Sequence, residues 1–139
     1  MRLTTALLLL AALFGAWRWW DGRTADTATA AASENGFVPV HMPDGAPRRA
    51  VLVLAPPNCP SEQARRADAL VSFLEDKCVP VVRGGSMAFD VANPSPEQVA
   101  GIERAVDVFN AGAPAVFVNG MAMSDPTPAQ ALAEYRRSR

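Results

Sequence analysis

Side chains that carry chemistry are scarce in this chain. It has two cysteines, Cys59 and Cys78, a single histidine, His41, and a single tyrosine, Tyr135. A tetrahedral metal centre finds too few ligands in that set, and His41 has no evident nucleophile to serve as partner in a catalytic triad. Charge of one sign is lacking as well. With a formal net charge of −1, there is neither the basic surface of a nucleic-acid binder nor an acidic disordered tail. Gly84-Gly85 lacks the remainder of a phosphate-binding loop. What the chain does have is apolar content: 50% of its 139 residues are hydrophobic, enough for one modest core in a domain of about 100 residues.

One long apolar run stands apart. Leu3 to Ala16 is uncharged, follows Arg2 and leads into Trp17-Arg18-Trp19-Trp20, aromatic residues that favour the membrane boundary. Residues 1–20 therefore read as a membrane anchor or signal segment. The nearest Ala-x-Ala pattern, Ala28-Thr29-Ala30, lies roughly a dozen residues too late for cleavage. This favours an uncleaved anchor, with secretion after signal cleavage as the alternative. The expected location is the periplasm, or more generally outside the cytoplasmic membrane. Arg2 on one side and Arg18 and Arg23 on the other do not themselves favour that orientation. Residues 21–36, rich in Ala, Thr and Ser, read as a flexible linker, and 37–139 as the folded domain.

Within that domain, Phe37-Val38-Pro39-Val40 suits a short edge strand, where proline is tolerated. Val51 to Leu54 is continuously apolar, as in a strand buried on both faces. Ala67, Leu70, Val71 and Leu74 repeat at helical spacing, predicting a helix from about Pro60 to Asp76, with Cys59 as N-cap and Pro60 in the first helical position. Val79 to Val82 should be an edge strand because of Pro80, and Phe89 and Val91 suggest a further extended piece. Ser95-Pro96-Glu97-Gln98 is a capping box that opens a second helix, with Val99, Ile102, Val106 and Phe109 as its apolar stripe. Ala115 to Val118, Asn119-Gly120 and Met121 to Met123 read as a hairpin. Thr127-Pro128-Ala129-Gln130 opens a last helix in the same way as the second.

A thiol at the start of a helix faces unpaired N–H groups and the positive end of the helix dipole, both of which favour the thiolate. Cys59 is therefore the candidate catalytic residue. Cys78, beside Val79 at the start of an edge strand, reads as a small apolar filler, with pairing to another chain as its alternative. Met121 and Met123 alternate around Ala122 and should share a face.

The order βαβαββα, with a cysteine between the first strand and helix, resembles the thioredoxin-like fold, and the glutaredoxin branch in particular, over about Ala50 to Arg137. Cys59-Pro60-Ser61-Glu62 occupies the place of the family's Cys-Pro-x-Cys. Ala113-Pro114-Ala115-Val116-Phe117-Val118-Asn119-Gly120 looks like its cis-proline segment and hairpin. The resemblance implies an α/β three-layer sandwich behind an N-terminal apolar helix. It also implies a cis Pro114, and Pro60, Ala113 and Pro114 as substrate-binding residues beside Cys59. Glu62 stands where the resolving cysteine would be. This leaves a monothiol thiol–disulfide oxidoreductase that depends on an external thiol, with no bound cofactor and glutathione as a candidate co-substrate. Its partner would be an extended peptide or a protein thiol or disulfide. The alternative is a degenerate, non-catalytic binding or scaffold module of the cell envelope.

Overall fold

The computed structural model describes residues 32–56 and 61–139. The apolar segment expected over 1–20 and most of the linker fall outside these residues, as do Cys59 and Pro60. Among the described residues no helix is long and apolar enough to cross a membrane.

The fold is mixed α/β: one five-stranded sheet and three helices. Its elements are β1 (Val38–Pro39), β2 (Val51–Leu54), α1 (Glu62–Asp76), β3 (Val81–Gly84), α2 (Pro96–Ala111), β4 (Ala115–Val118), β5 (Met121–Ser124) and α3 (Pro128–Arg137). The strands lie in the order β1-β5-β4-β2-β3. Only β2 and β3 run parallel, as a crossover through a helix requires, and the other pairs are antiparallel.

Alternation along the strands divides the core in two. Val51 lies opposite Val118 and Val53 opposite Val116. These four valines meet Ala67, Leu70 and Leu74 of α1 and Ala131, Leu132 and Tyr135 of α3 on one face. Leu52 lies opposite Phe117 and Leu54 opposite Ala115. They face the other way, with Ala122 and with Ala105 of α2. Every residue of β2 and β4 is buried, and each such aliphatic side chain contributes about 1.5–3 kcal/mol through burial. Met121 and Met123 do share a face, both against the first cluster, while Ala122 belongs to the second.

The caps show why the helices start where they do. Ser95 and Thr127 each accept the N–H of the residue three positions on, and Gln98 and Gln130 return the bond, as the capping boxes predict. At α1 the sequence expectation is corrected by two residues. Ser61, not Cys59, is the N-cap, and its hydroxyl accepts the Ala64 N–H at 3.2 Å. Serine is among the preferred N-cap residues because its short oxygen reaches an unpaired N–H of the first turn.

The end of α1 brings two further corrections. The Val79 N–H donates to Leu74 C=O at 3.0 Å and the Cys78 N–H to Glu75 C=O at 2.9 Å, the paired bonds of a Schellman closure. Cys78 takes the left-handed position, φ 60°, and is exposed; it is not the buried filler expected from sequence. With Cys78 and Val79 used in this closure, β3 begins at Val81, two residues later than expected. On α2 the buried positions are Gly101 and Ala105, and Val99, assigned to the apolar stripe, is 39% exposed. Glycine is required at 101 by close approach: a Cβ there would come within 2.8 Å of the His41 backbone nitrogen. Residues 85–95 form no strand, although Phe89 packs against the second cluster and its ring lies 6.1 Å from that of His41.

Residues 33–36, inside the stretch read as linker, are part of the folded structure. Ser33 to Phe37 forms a turn, with the Ser33 N–H donating to Phe37 C=O at 2.7 Å and Phe37 fully buried.

Candidate functional site

The carboxyl end of β2 is where the sheet opens. Leu54 lies opposite Gly84 on one side and Ala115 on the other. The chain leaves β2 through Ala55 and Pro56 and is next described at Ser61, the cap of α1. Cys59 and Pro60 belong to that connection and lie outside the described residues.

A cleft of about 290 Å³ sits at this end, between the first half of α1 and the start of α3. Arg66 and Leu70 of α1 form one wall, Thr127 and Pro128 the other, and Pro114 the floor. Its size is near the lower end of ligand pockets, about 300–1,000 Å³, and suits one side chain or a short stretch of peptide. The Ala113–Pro114 bond is cis, as the resemblance implies, and Pro114 is fully buried. Pro114 C=O accepts the Asp125 N–H at 2.8 Å, and the Ser124 hydroxyl donates to Gly112 C=O at 2.9 Å. These bonds clamp the proline segment to the end of β5. Ala113 itself is half-buried, and among the described residues neither its N–H nor its C=O has a partner. Backbone groups of this kind are readily completed by an extended peptide.

An ion pair spans the mouth of the cleft. Arg66 donates to Asp125 at 2.7 Å, and both side chains are a little under half exposed. No sequence motif singles out either residue. The two lie far apart in the chain, and no spacing rule links them. Glu62, which the resemblance sets in the place of a resolving cysteine, is exposed and paired with Arg65 at 2.6 Å.

The opposite end of the sheet is closed by polar bonds. Glu134 is fully buried, and Ser33 and Asn35 donate to its Oε2 at 2.9 and 3.0 Å, while Arg137 forms an ion pair with it. Burial pushes the Glu134 carboxyl up. The hydrogen bonds from Arg137, Asn35 and Ser33 outweigh that and hold it below the usual carboxylate range. Bonding to Glu134 raises the Arg137 guanidinium in turn. Alongside, the Arg49 N–H donates to the Asn119 side chain at 3.2 Å, Asn119 donates to the Ser138 hydroxyl at 2.9 Å, and the Tyr135 hydroxyl donates to Arg49 C=O at 3.3 Å. Helical spacing from Ala131 places both Glu134 and Tyr135 on the apolar face of α3, and a carboxylate there was the signal available in sequence.

Among the described residues, no group of three or more His, Cys, Asp or Glu side chains could hold a metal ion. No family model, curated protein or solved structure matches the chain.

Proposed function

We propose that the domain is a thioredoxin-like module of the glutaredoxin kind, an α/β three-layer sandwich, and that the chain is an anchored or exported monothiol thiol–disulfide oxidoreductase acting through Cys59. One observation carries this reading. The cleft floored by Pro114, with the Ala113 backbone groups beside it unpartnered among the described residues, lies at the end of the sheet where the connection bearing Cys59 joins β2 to α1. The strand order and the division of the helices between two faces support it.

The chemistry balances with a single protein thiol. The Cys59 thiolate attacks the glutathione sulfur of a mixed disulfide, forming a Cys59–glutathione disulfide and releasing the substrate thiolate. A second glutathione thiolate then attacks that disulfide, regenerating Cys59 and leaving oxidised glutathione. Glu62 cannot take the part of a resolving thiol, so the external thiol is obligatory.

The test is turnover of a glutathionylated peptide by the full chain with glutathione as reductant. Cys59→Ser should abolish turnover and Cys78→Gly should preserve it. Ala113→Phe should raise KM by crowding the backbone groups beside Pro114. Undiminished turnover by Cys59→Ser contradicts the proposal.

A second reading is favoured by the outer edge of β3, which has no neighbouring strand among the described residues and carries Val82, 45% exposed. There, or along Ala113, a non-catalytic module would hold an extended peptide by strand addition. Peptide binding would then survive Cys59→Ser.

A further inference from the structure

The closed end of the sheet also gathers positive charge. Arg48 and Arg49 precede β2, and Arg136 and Arg139 lie at the end of α3. The Tyr135–Arg49 hydrogen bond brings the two segments together, and the Arg139 guanidinium lies over the Tyr135 ring, 5.8 Å from its centroid. All four arginines are exposed, and among the described residues none is in an ion pair. Arg137, beside them, is neutralised by Glu134. Glu34 lies near Arg137, and Glu75, Asp76 and Lys77 end α1 at this same end of the sheet. The patch thus keeps an excess of arginine in a chain whose formal net charge is −1.

We infer that this arginine patch is a docking surface for an anionic phospholipid bilayer, which turns the cleft away from the membrane. The inference rests on the anchored reading of residues 1–20. Charge complementarity is one argument, since each arginine that reaches an anionic surface strengthens attachment roughly fivefold. The attachment point of the chain is the other. Ser33 is bonded to Glu134, next to the patch. Even a fully extended chain from Trp20 to Ser33, about 13 residues, reaches no more than about 45 Å. An anchor ending at Trp20 therefore holds the domain within that distance of the bilayer, and the charge of the patch selects the end that faces it. A nucleic acid would find the same charges but not the tether.

Cys78 provides the probe, being exposed and at the same end of the sheet as the patch. The full chain carrying Cys59→Ser is labelled at Cys78 with a fluorescent donor. It is then added to vesicles containing acceptor lipid, made either of phosphatidylglycerol with phosphatidylcholine or of phosphatidylcholine alone. Energy transfer should be higher on the anionic vesicles and fall to the neutral-vesicle level by about 1 M salt, where the screening length is about 3 Å. It should fall likewise when Arg48, Arg49, Arg136 and Arg139 are all changed to Gln, and remain when all four are changed to Lys. Equal transfer on both vesicle types, or transfer unchanged in the Gln variant, overturns the inference. So does displacement of the patch from anionic vesicles by a small amount of random-sequence duplex DNA.

Sedimentation with the vesicles separates the two ideas. Binding that resists high salt reports the anchor. If that binding is missing, the anchored reading fails, and the patch is judged on sedimentation at low salt, where binding to anionic but not neutral vesicles supports it and no such difference overturns it.

Discussion

The two ends of the sheet are built on different principles. Around α3 and the amino end of β2, polar groups are paired across four segments: Ser33 and Asn35 with Glu134, and Arg49 with Asn119 and Tyr135. At the carboxyl end, the Ala113 backbone groups have no partner among the described residues, and the Arg66–Asp125 ion pair over the cleft is a little under half exposed. Stability and site are thus separated along the strands. A fold that ties its first and last described segments together by polar bonds can leave a groove for a ligand elsewhere, which is how rigid elements present a preorganised surface.

That contrast predicts unequal responses to substitution. The largest should come from Glu134→Gln, which removes the charge that Arg137, Ser33 and Asn35 share. A loss of about 1–3 kcal/mol in urea unfolding is expected, with faster proteolysis between Ser33 and Phe37 and unchanged chemistry at the cleft. The same group sets an acid limb. Its native pKa is lowered, so its contribution to stability is complete above the ordinary glutamate value of about 4.3 and is lost as pH falls through the native value. The stability gap between the native protein and Glu134→Gln should therefore shrink below about pH 4.

A smaller effect of opposite sign is expected at Cys78. Its left-handed conformation suits glycine, so Cys78→Gly should raise unfolding stability by about 0.5–1 kcal/mol. Smallest of all should be the cleft pair: Arg66→Gln should change stability by less than about 1 kcal/mol, as for other solvated ion pairs. A loss there as large as that of Glu134→Gln would break the contrast between the two ends.

The sequence made visible those features that are governed by local rules. Ser95 and Gln98, Thr127 and Gln130, and Asn119-Gly120 each act within a few residues of themselves, and each forms as expected; Asn119 and Gly120 both have positive φ in the hairpin turn. Where two local rules competed, the boundary moved. Cys59-Pro60 and Ser61-Glu62 both look like helix starts, and the better cap, Ser61, prevails. At the other end of α1, Cys78 occupies a position normally announced by glycine, so the Schellman closure was hidden and β3 was expected too early. Features that depend on tertiary meeting were not legible. Arg66 and Asp125 become partners only when α1 and the segment after β5 are brought together. Gly101 is explained only by the passage of His41 across α2.

The central claim is that the open end of the sheet serves a reactive thiol. It is tested most directly by the rate of Cys59 alkylation against pH in the full chain carrying Cys78→Gly, which leaves Cys59 as the only thiol. The account predicts a thiolate that titrates well below the free-cysteine value of about 8.5. A thiol that titrates at or above that value, or fails to react while the protein remains folded, would contradict it and leave the cleft as a binding groove alone.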